Sequence, residues 1–244
     1  MRNLDLSQVA VVSVDNTKTF EDANYQELYV QEGEQSAIAS KAVMELLKPY
    51  GALMVNVLEE HPQGHISFVT SYKDKDVFQS VTYDEVKNWT EEKNWLSSTA
   101  RFTIKELQSF LEKVWSQTLW PEHSKAWTDS SELMEPLQKK DFDLHIIKGN
   151  NVAKEAYSWF DNTNLDEQLK TRNIKKLIVS GVATDYCVGN TALDAAQNDY
   201  EVIVVQDAVR GVAPDSTNAM LQNFKEKNIK YLTLQELKEL FFEN

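Results

Sequence analysis

Short, uninterrupted apolar runs recur along the chain, and each gives way abruptly to polar residues. The runs at 8–14 (QVAVVSV), 52–58 (ALMVNVL), 143–147, 178–182 and 201–205 have the character of strands covered on both faces. Between them the period changes. Residues 36–48 place Ile38, Val43, Leu46 and Leu47 on one helical face, and Pro49-Tyr50-Gly51 stops the segment. Residues 165–172, 190–197 and 216–226 read as further helices, 230–232 as a short strand, and the segment from Gln235 as a closing helix. Strands alternating with helices of this length imply right-handed βαβ crossovers. The expected fold is therefore α/β: a doubly wound, mostly parallel sheet with helices on both faces, in a single domain over 1–244.

Two stretches depart from the alternation. Residues 20–35 are polar and acidic and read as a long loop. Residues 69–119 form an insertion whose one regular element is a helix over 103–118. There Ile104, Leu107, Leu111 and Val114 recur at helical spacing, and Thr103 with Glu106 makes a capping box. Phe102, Phe110, Trp115, Trp89 and Trp95 add aromatic surface, so the insertion is either a peripheral subdomain or a cover over a site.

Composition narrows the partners. The 244 residues carry a net charge of -13, which would repel nucleic acid and anionic membrane surfaces. No apolar run approaches the roughly 18 residues of a membrane span. The single cysteine excludes an internal disulfide framework, and the opening MRNLDLSQ lacks the regions of a signal peptide, so a reducing, cytoplasmic setting and a small-molecule substrate are expected.

The candidate chemistry gathers where the strands end. Asp15, the cluster Glu59-Glu60-His61-Pro62-Gln63-Gly64-His65, Lys148 and Cys187 each follow the carboxyl end of a different predicted strand, the edge at which open parallel sheets bind ligands. Cys187 falls where a helix begins. Unpaired N–H groups and the helix dipole there favour a thiolate, although a lone cysteine is also a common packing residue. A thiol attacking an uncharged amide needs a base, for which Asp15 is the candidate. Lys148 would hold that carboxylate ionised and lower the thiol pKa. Backbone N–H groups before Cys187 would form an oxyanion hole, and the reaction class would be amide hydrolysis through a thioester. Of the four histidines, His145 lies inside a strand, which leaves His61, His65 and His123 for one divalent metal: zinc, iron or manganese. A non-catalytic small-molecule binder is the competing reading, and no phosphate-binding glycine motif is present.

Several motifs occur together: Asp15 with Phe20, HPQGHISF from His61, WPEH ending at His123, KGNNVAKEAYSWF from Lys148, and GVATDYCV containing Cys187. In this combination the chain resembles the isochorismatase-like cysteine hydrolases, and within them the nicotinamidase branch, over nearly all its length apart from 69–119. The resemblance implies hydrolysis of nicotinamide, or its analogue pyrazinamide, with Asp15, Lys148 and Cys187 as the catalytic triad. It implies a cis peptide before Ala183, an oxyanion hole from the N–H groups of Ala183 and Cys187, and a pyridine pocket walled by Phe20, Trp120 and Tyr157. It also implies metal ligation by Glu59, His61, His65 and His123, and it leaves a homo-oligomer open. Two positions depart from the family pattern: Glu59 stands where relatives carry aspartate, and Thr17 where they commonly carry glutamine.

Overall fold

The apolar runs are driven into one sheet because both of their faces need cover. The computed structural model describes residues 4–21 and 27–243, so residues 22–26 of the expected acidic loop lie outside the described residues. In chain order the elements are β1 (Val9–Val14), α1 (Gly33–Leu47), β2 (Leu53–Glu59), β3 (Ser80–Thr82), α2 (Tyr83–Val86), α3 (Ile104–Val114), β4 (Ser116–Thr118), β5 (Leu144–Lys148), α4 (Leu165–Thr171), β6 (Lys176–Val182), α5 (Cys187–Gln197), β7 (Glu201–Arg210), α6 (Pro214–Glu226), β8 (Lys230–Leu232) and α7 (Leu234–Lys238). Six strands form one sheet in the order β5-β2-β1-β6-β7-β8. All five of its pairings are parallel. Alternate residues of β1 serve opposite faces: Ala10, Val12 and Val14 pack into the apolar cluster that includes Leu165, Leu169, Val188, Ala192 and Phe224, whereas Val9 and Val11 join Val43, Leu47 and Leu237. The doubly wound architecture is thus present. Among the described residues no helix is long and apolar enough to cross a membrane.

Strand order reverses at β1, with β2 and then β5 on one side and β6, β7 and β8 on the other. Adjacent β1 and β6 therefore feed their carboxyl ends into the cleft where such sheets bind ligands. Their close approach requires Gly181: a Cβ there would lie 1.8 Å from the Val14 carbonyl oxygen, and its φ of +116° suits glycine alone.

Four local expectations are corrected. The buried face of α1 is Ala37, Ser40, Val43, Met44 and Leu47, while Ile38 is exposed. Polar bonding turns the helix: Asn16 accepts from Ser36 Oγ at 2.6 Å and donates to Ser40 Oγ at 3.1 Å, which draws the serines inward. The helix expected over 103–118 stops at Val114, and Trp115 (φ 66°) breaks it. Its capping box and the buried Ile104, Leu107 and Leu111 are as expected, but Val114 is exposed. Residues 116–118 pair antiparallel with β3 across the intervening α2 and α3, and these short polar strands carry no apolar period to betray them. β7 continues past the expected end at 205 to Arg210, because the register slips opposite Val179–Gly181, turning Gln206 and Asp207 outward and returning Ala208 and Val209 to the core.

Candidate active site

Each chemical group arrives at the cleft for a local reason. Asp15 is the first residue beyond β1 and adopts a left-handed φ of 48°, with its N–H donating to the Val57 carbonyl at 3.0 Å. Glu59 and Lys148 are the last residues of β2 and β5 and register partners across that parallel pair, so their ion pair follows from the ladder. Cys187 opens α5. The side chains of Asp15, Glu59, Lys148 and Cys187 are all buried.

Lys148 is the hub. Its ammonium donates to Glu59 Oε1 in a short hydrogen bond, lies 3.4 Å from Cys187 Sγ and sits 3.9 Å from Asp15 Oδ2. Burial alone would discharge this lysine, but the Cys187 sulfur when ionised, together with the Glu59 and Asp15 carboxylates, pushes its pKa well above the usual value. Burial likewise pushes Glu59 upward, and the Lys148 ammonium with His61 and His123 brings it well below the usual carboxylate range. Asp15 differs. Burial, against the pull of Lys148, drives it up to about 7. Neither of its carboxylate oxygens has a hydrogen bond of ordinary geometry, and ligating atoms of Asp15, Glu59 and Cys187 all fall within 4.8 Å of one another. The thiol proton is thus within reach of an unsatisfied base.

Burial works against the thiolate that the helix start favours. Burial pushes the Cys187 thiol well above its ordinary pKa, and the pull of Lys148 is outweighed once the nearby Asp15 and Glu59 carboxylates are counted. The helix start and the lysine work against that burial, and the Asp15 carboxylate stands beside the sulfur as the base for its proton.

The peptide between Val182 and Ala183 is cis. Among the described residues neither the Ala183 nor the Cys187 N–H donates to a backbone carbonyl, whereas Tyr186 and Val188 N–H both donate to the Ala183 carbonyl. Ala183 and Cys187 line one cleft, so both N–H groups lie at the wall that holds the sulfur.

Three of the four expected metal-binding residues converge. His61 Nε2 and His123 Nε2 stand 3.4 and 3.3 Å from Glu59 Oε2, and all three residues are buried. His61 Nδ1 is bonded to the Gly149 carbonyl at 3.0 Å and His123 Nδ1 to the Pro121 carbonyl at 2.8 Å. With Nδ1 held against a carbonyl, each ring turns its Nε2 to the shared point; His61 Nε2 has no hydrogen-bond partner. Two imidazoles and a carboxylate oxygen, oriented through carbonyls behind them, fit a divalent transition metal. His65 is not brought into this set. Its Nδ1 is engaged by Ser67 Oγ at 2.8 Å, and its Nε2 by the carbonyls of Lys154 and Asn151 at 2.9 and 3.1 Å. Burial pulls its pKa down to about 3, so it stays neutral and pins the 151–154 loop. It also approaches His61 and Glu155 within 4.8 Å, but with both nitrogens spent.

Above the sulfur, a cleft is walled on its aromatic side by Phe20, Trp120, Tyr157 and Tyr186. Trp120 Nε1 donates to the Tyr157 hydroxyl at 3.1 Å, and Trp120 meets Tyr186 edge-on at 4.9 Å. Glu59, His123, Ala183 and Cys187 share the same cleft, which joins the flat slot, the thiol and the metal-ligand set. The insertion reaches it through β4, which runs directly into Trp120, and Phe78 stacks edge-on against the outer side of that indole at 5.9 Å.

Sequence reasoning missed Tyr186, Glu155, Leu28 and Val212, which also line the cleft. Glu155 had a signal, a carboxylate inside the apolar end of the KGNNVAKEAYSWF motif, and Tyr186 adjoins the cysteine. Leu28 and Val212 had none, since each arrives on an irregular segment.

A family model described as an isochorismatase domain matches residues 74–236. The nicotinamidase of Escherichia coli is 40% identical over 115 residues, 43% of this chain and 54% of that protein. The Schizosaccharomyces pombe nicotinamidase is 26% identical over 215 residues, covering 84% of this chain and 86% of that one. A crystal structure of pyrazinamidase from Pyrococcus horikoshii in complex with zinc superposes with a TM-score of 0.68 at 27% identity, over 93% of this chain and 99% of that one.

Proposed function

The chain belongs to the isochorismatase family, and from that premise we propose that it is a nicotinamidase, hydrolysing nicotinamide to nicotinate and ammonia. The observation that carries the reading is the junction of a buried thiol, an unsatisfied carboxylate and an ammonium with an aromatic slot that reaches His123 and Glu59, the latter shared with His61. A flat ring carrying a carboxamide at one position and a basic nitrogen at another matches all three parts.

Phe20, Trp120 and Tyr157 hold the pyridine ring, and Glu59, His61 and His123 hold the metal, with zinc the first candidate because the Pyrococcus protein binds it. The metal, when bound, supplies a Lewis-acid anchor for the ring nitrogen. The remaining steps belong to the chain. Asp15 takes the Cys187 proton as sulfur attacks the carboxamide carbon, and the N–H groups of Ala183 and Cys187 receive the developing oxyanion. Lys148 stabilises the thiolate and then the carboxylate of Asp15 as charge passes between them. Asp15 returns the proton to the nitrogen, the C–N bond breaks and ammonia leaves. Water, deprotonated by Asp15, then opens the thioester to nicotinate and the free thiol.

The insertion over 69–119 acts in this reading as the outer wall of the slot, through Phe78 behind Trp120. Ammonia and nicotinate formed in equal amounts from nicotinamide test the function. In the same assay Phe78→Ala is expected to raise KM for nicotinamide by about fivefold, in line with loss of one aromatic contact, with kcat unchanged. An unaltered KM would leave the insertion a peripheral subdomain.

A further inference from the structure

Lys148 carries a positive charge in a site crowded with acids, and three directions around its ammonium are occupied by Glu59, Cys187 and Asp15. On a further side lies the indole of Trp159, with the ring centroid 5.0 Å from Nζ. Trp159 is wholly buried and packs in the apolar cluster with Leu165, Leu169 and Val188. Its main-chain N–H donates to Thr191 Oγ1 at 3.2 Å, which ties it to the helix that begins at Cys187. The indole N–H has no hydrogen-bond partner in the structure. An indole buried at the expense of its own donor contributes a flat π face and bulk rather than a polar bond.

We propose that Trp159 is a positioning residue for Lys148: its ring face holds the ammonium against Asp15, Glu59 and Cys187, and its bulk keeps water off the side those three leave open. A desolvated cation–π contact is among the stronger of its kind. Water admitted beside the ammonium would weaken every charge interaction in the triad by raising the local dielectric. The inference rests on the catalytic role of Lys148 proposed above.

The test compares Trp159→Leu, Trp159→Phe and, as a control for lost core packing, Leu169→Ala, each as the metal-loaded full chain. Trp159→Leu is expected to lower kcat for nicotinamide about tenfold with KM within about twofold, and Trp159→Phe, which keeps a π face, to retain most of kcat. Alkylation of Cys187 by iodoacetamide, which needs no assumption about substrate, is expected to slow in the leucine variant and not in the phenylalanine one. If the leucine variant fails to fold, Trp159→Met replaces it. Equal losses in Trp159→Leu and Leu169→Ala, or equal losses in the leucine and phenylalanine variants, would overturn the proposal. A wild type that leaves nicotinamide intact would sink the assigned substrate, and the alkylation rates would still decide the role of Trp159.

Discussion

Cys187→Ala protein is expected to release ammonia from nicotinamide about 10⁴-fold more slowly than the wild type, while keeping its fold and its metal. Removing a nucleophile from a covalent mechanism leaves only binding and oxyanion stabilisation, and such losses are of that size or larger. No second thiol can substitute, since Cys187 is the sole cysteine. The neighbouring carboxylate of Glu59 is committed to Lys148 and the imidazoles. The replacement should fold, because alanine at the start of α5 keeps the helix and removes only one sulfur from a large apolar cluster. Ammonia release, thermal melting and metal analysis on one preparation check all three statements. Turnover within tenfold of the wild type would mean that the sulfur is a packing atom and that the chemistry runs elsewhere.

His61→Ala is expected to take metal content from one per chain to near zero and to raise KM for nicotinamide by at least about a hundredfold. Disturbing even the residues behind a metal ligand costs 10–100-fold in affinity, and His61 is a fully buried ligand candidate with Nδ1 fixed by the Gly149 carbonyl and Nε2 without a hydrogen-bond partner. Gly149 makes that approach possible, since a Cβ there would lie 2.8 Å from the imidazole ring. His65→Ala separates the two roles of the histidines: it is expected to keep the metal and to loosen the 151–154 loop. Elemental analysis and substrate saturation curves on the two variants report this directly. Full metal content in His61→Ala would place the ion outside the Glu59, His61 and His123 set.

The buried sheet was legible in the sequence because parallel strands need apolar residues on both faces, and the polar residue after each run marked the catalytic edge. Asp15, Glu59, Lys148 and Cys187 could therefore be found from four strand ends before any distance was known. What escaped depends on contacts that a local pattern does not carry. Ile38 and Ala37 look alike as helix positions until the bonds of Asn16 decide which side turns inward. The β3–β4 pair is three polar-leaning residues on each side, held by register rather than hydrophobic period. His65 has the spacing of a ligand, but Ser67 and the 151–154 carbonyls claim its nitrogens. The thiol carries its own lesson. A helix start and a lysine suggested a lowered pKa, and burial beside two carboxylates reverses the sign, so that Asp15, pushed up to about 7, becomes a base matched to its task.

The ratio of kcat/KM for nicotinamide to that for N-carbamoylglycine, a small carbamoyl compound without a ring, decides the identity of the substrate. The aromatic slot and the imidazole pair recognise a planar ring with a basic nitrogen, so nicotinamide should be preferred by at least about a hundredfold, the range open to a site whose polar groups are left unpaired by the wrong ligand. Faster hydrolysis of N-carbamoylglycine, with nicotinamide left intact, would exclude nicotinamide as the substrate.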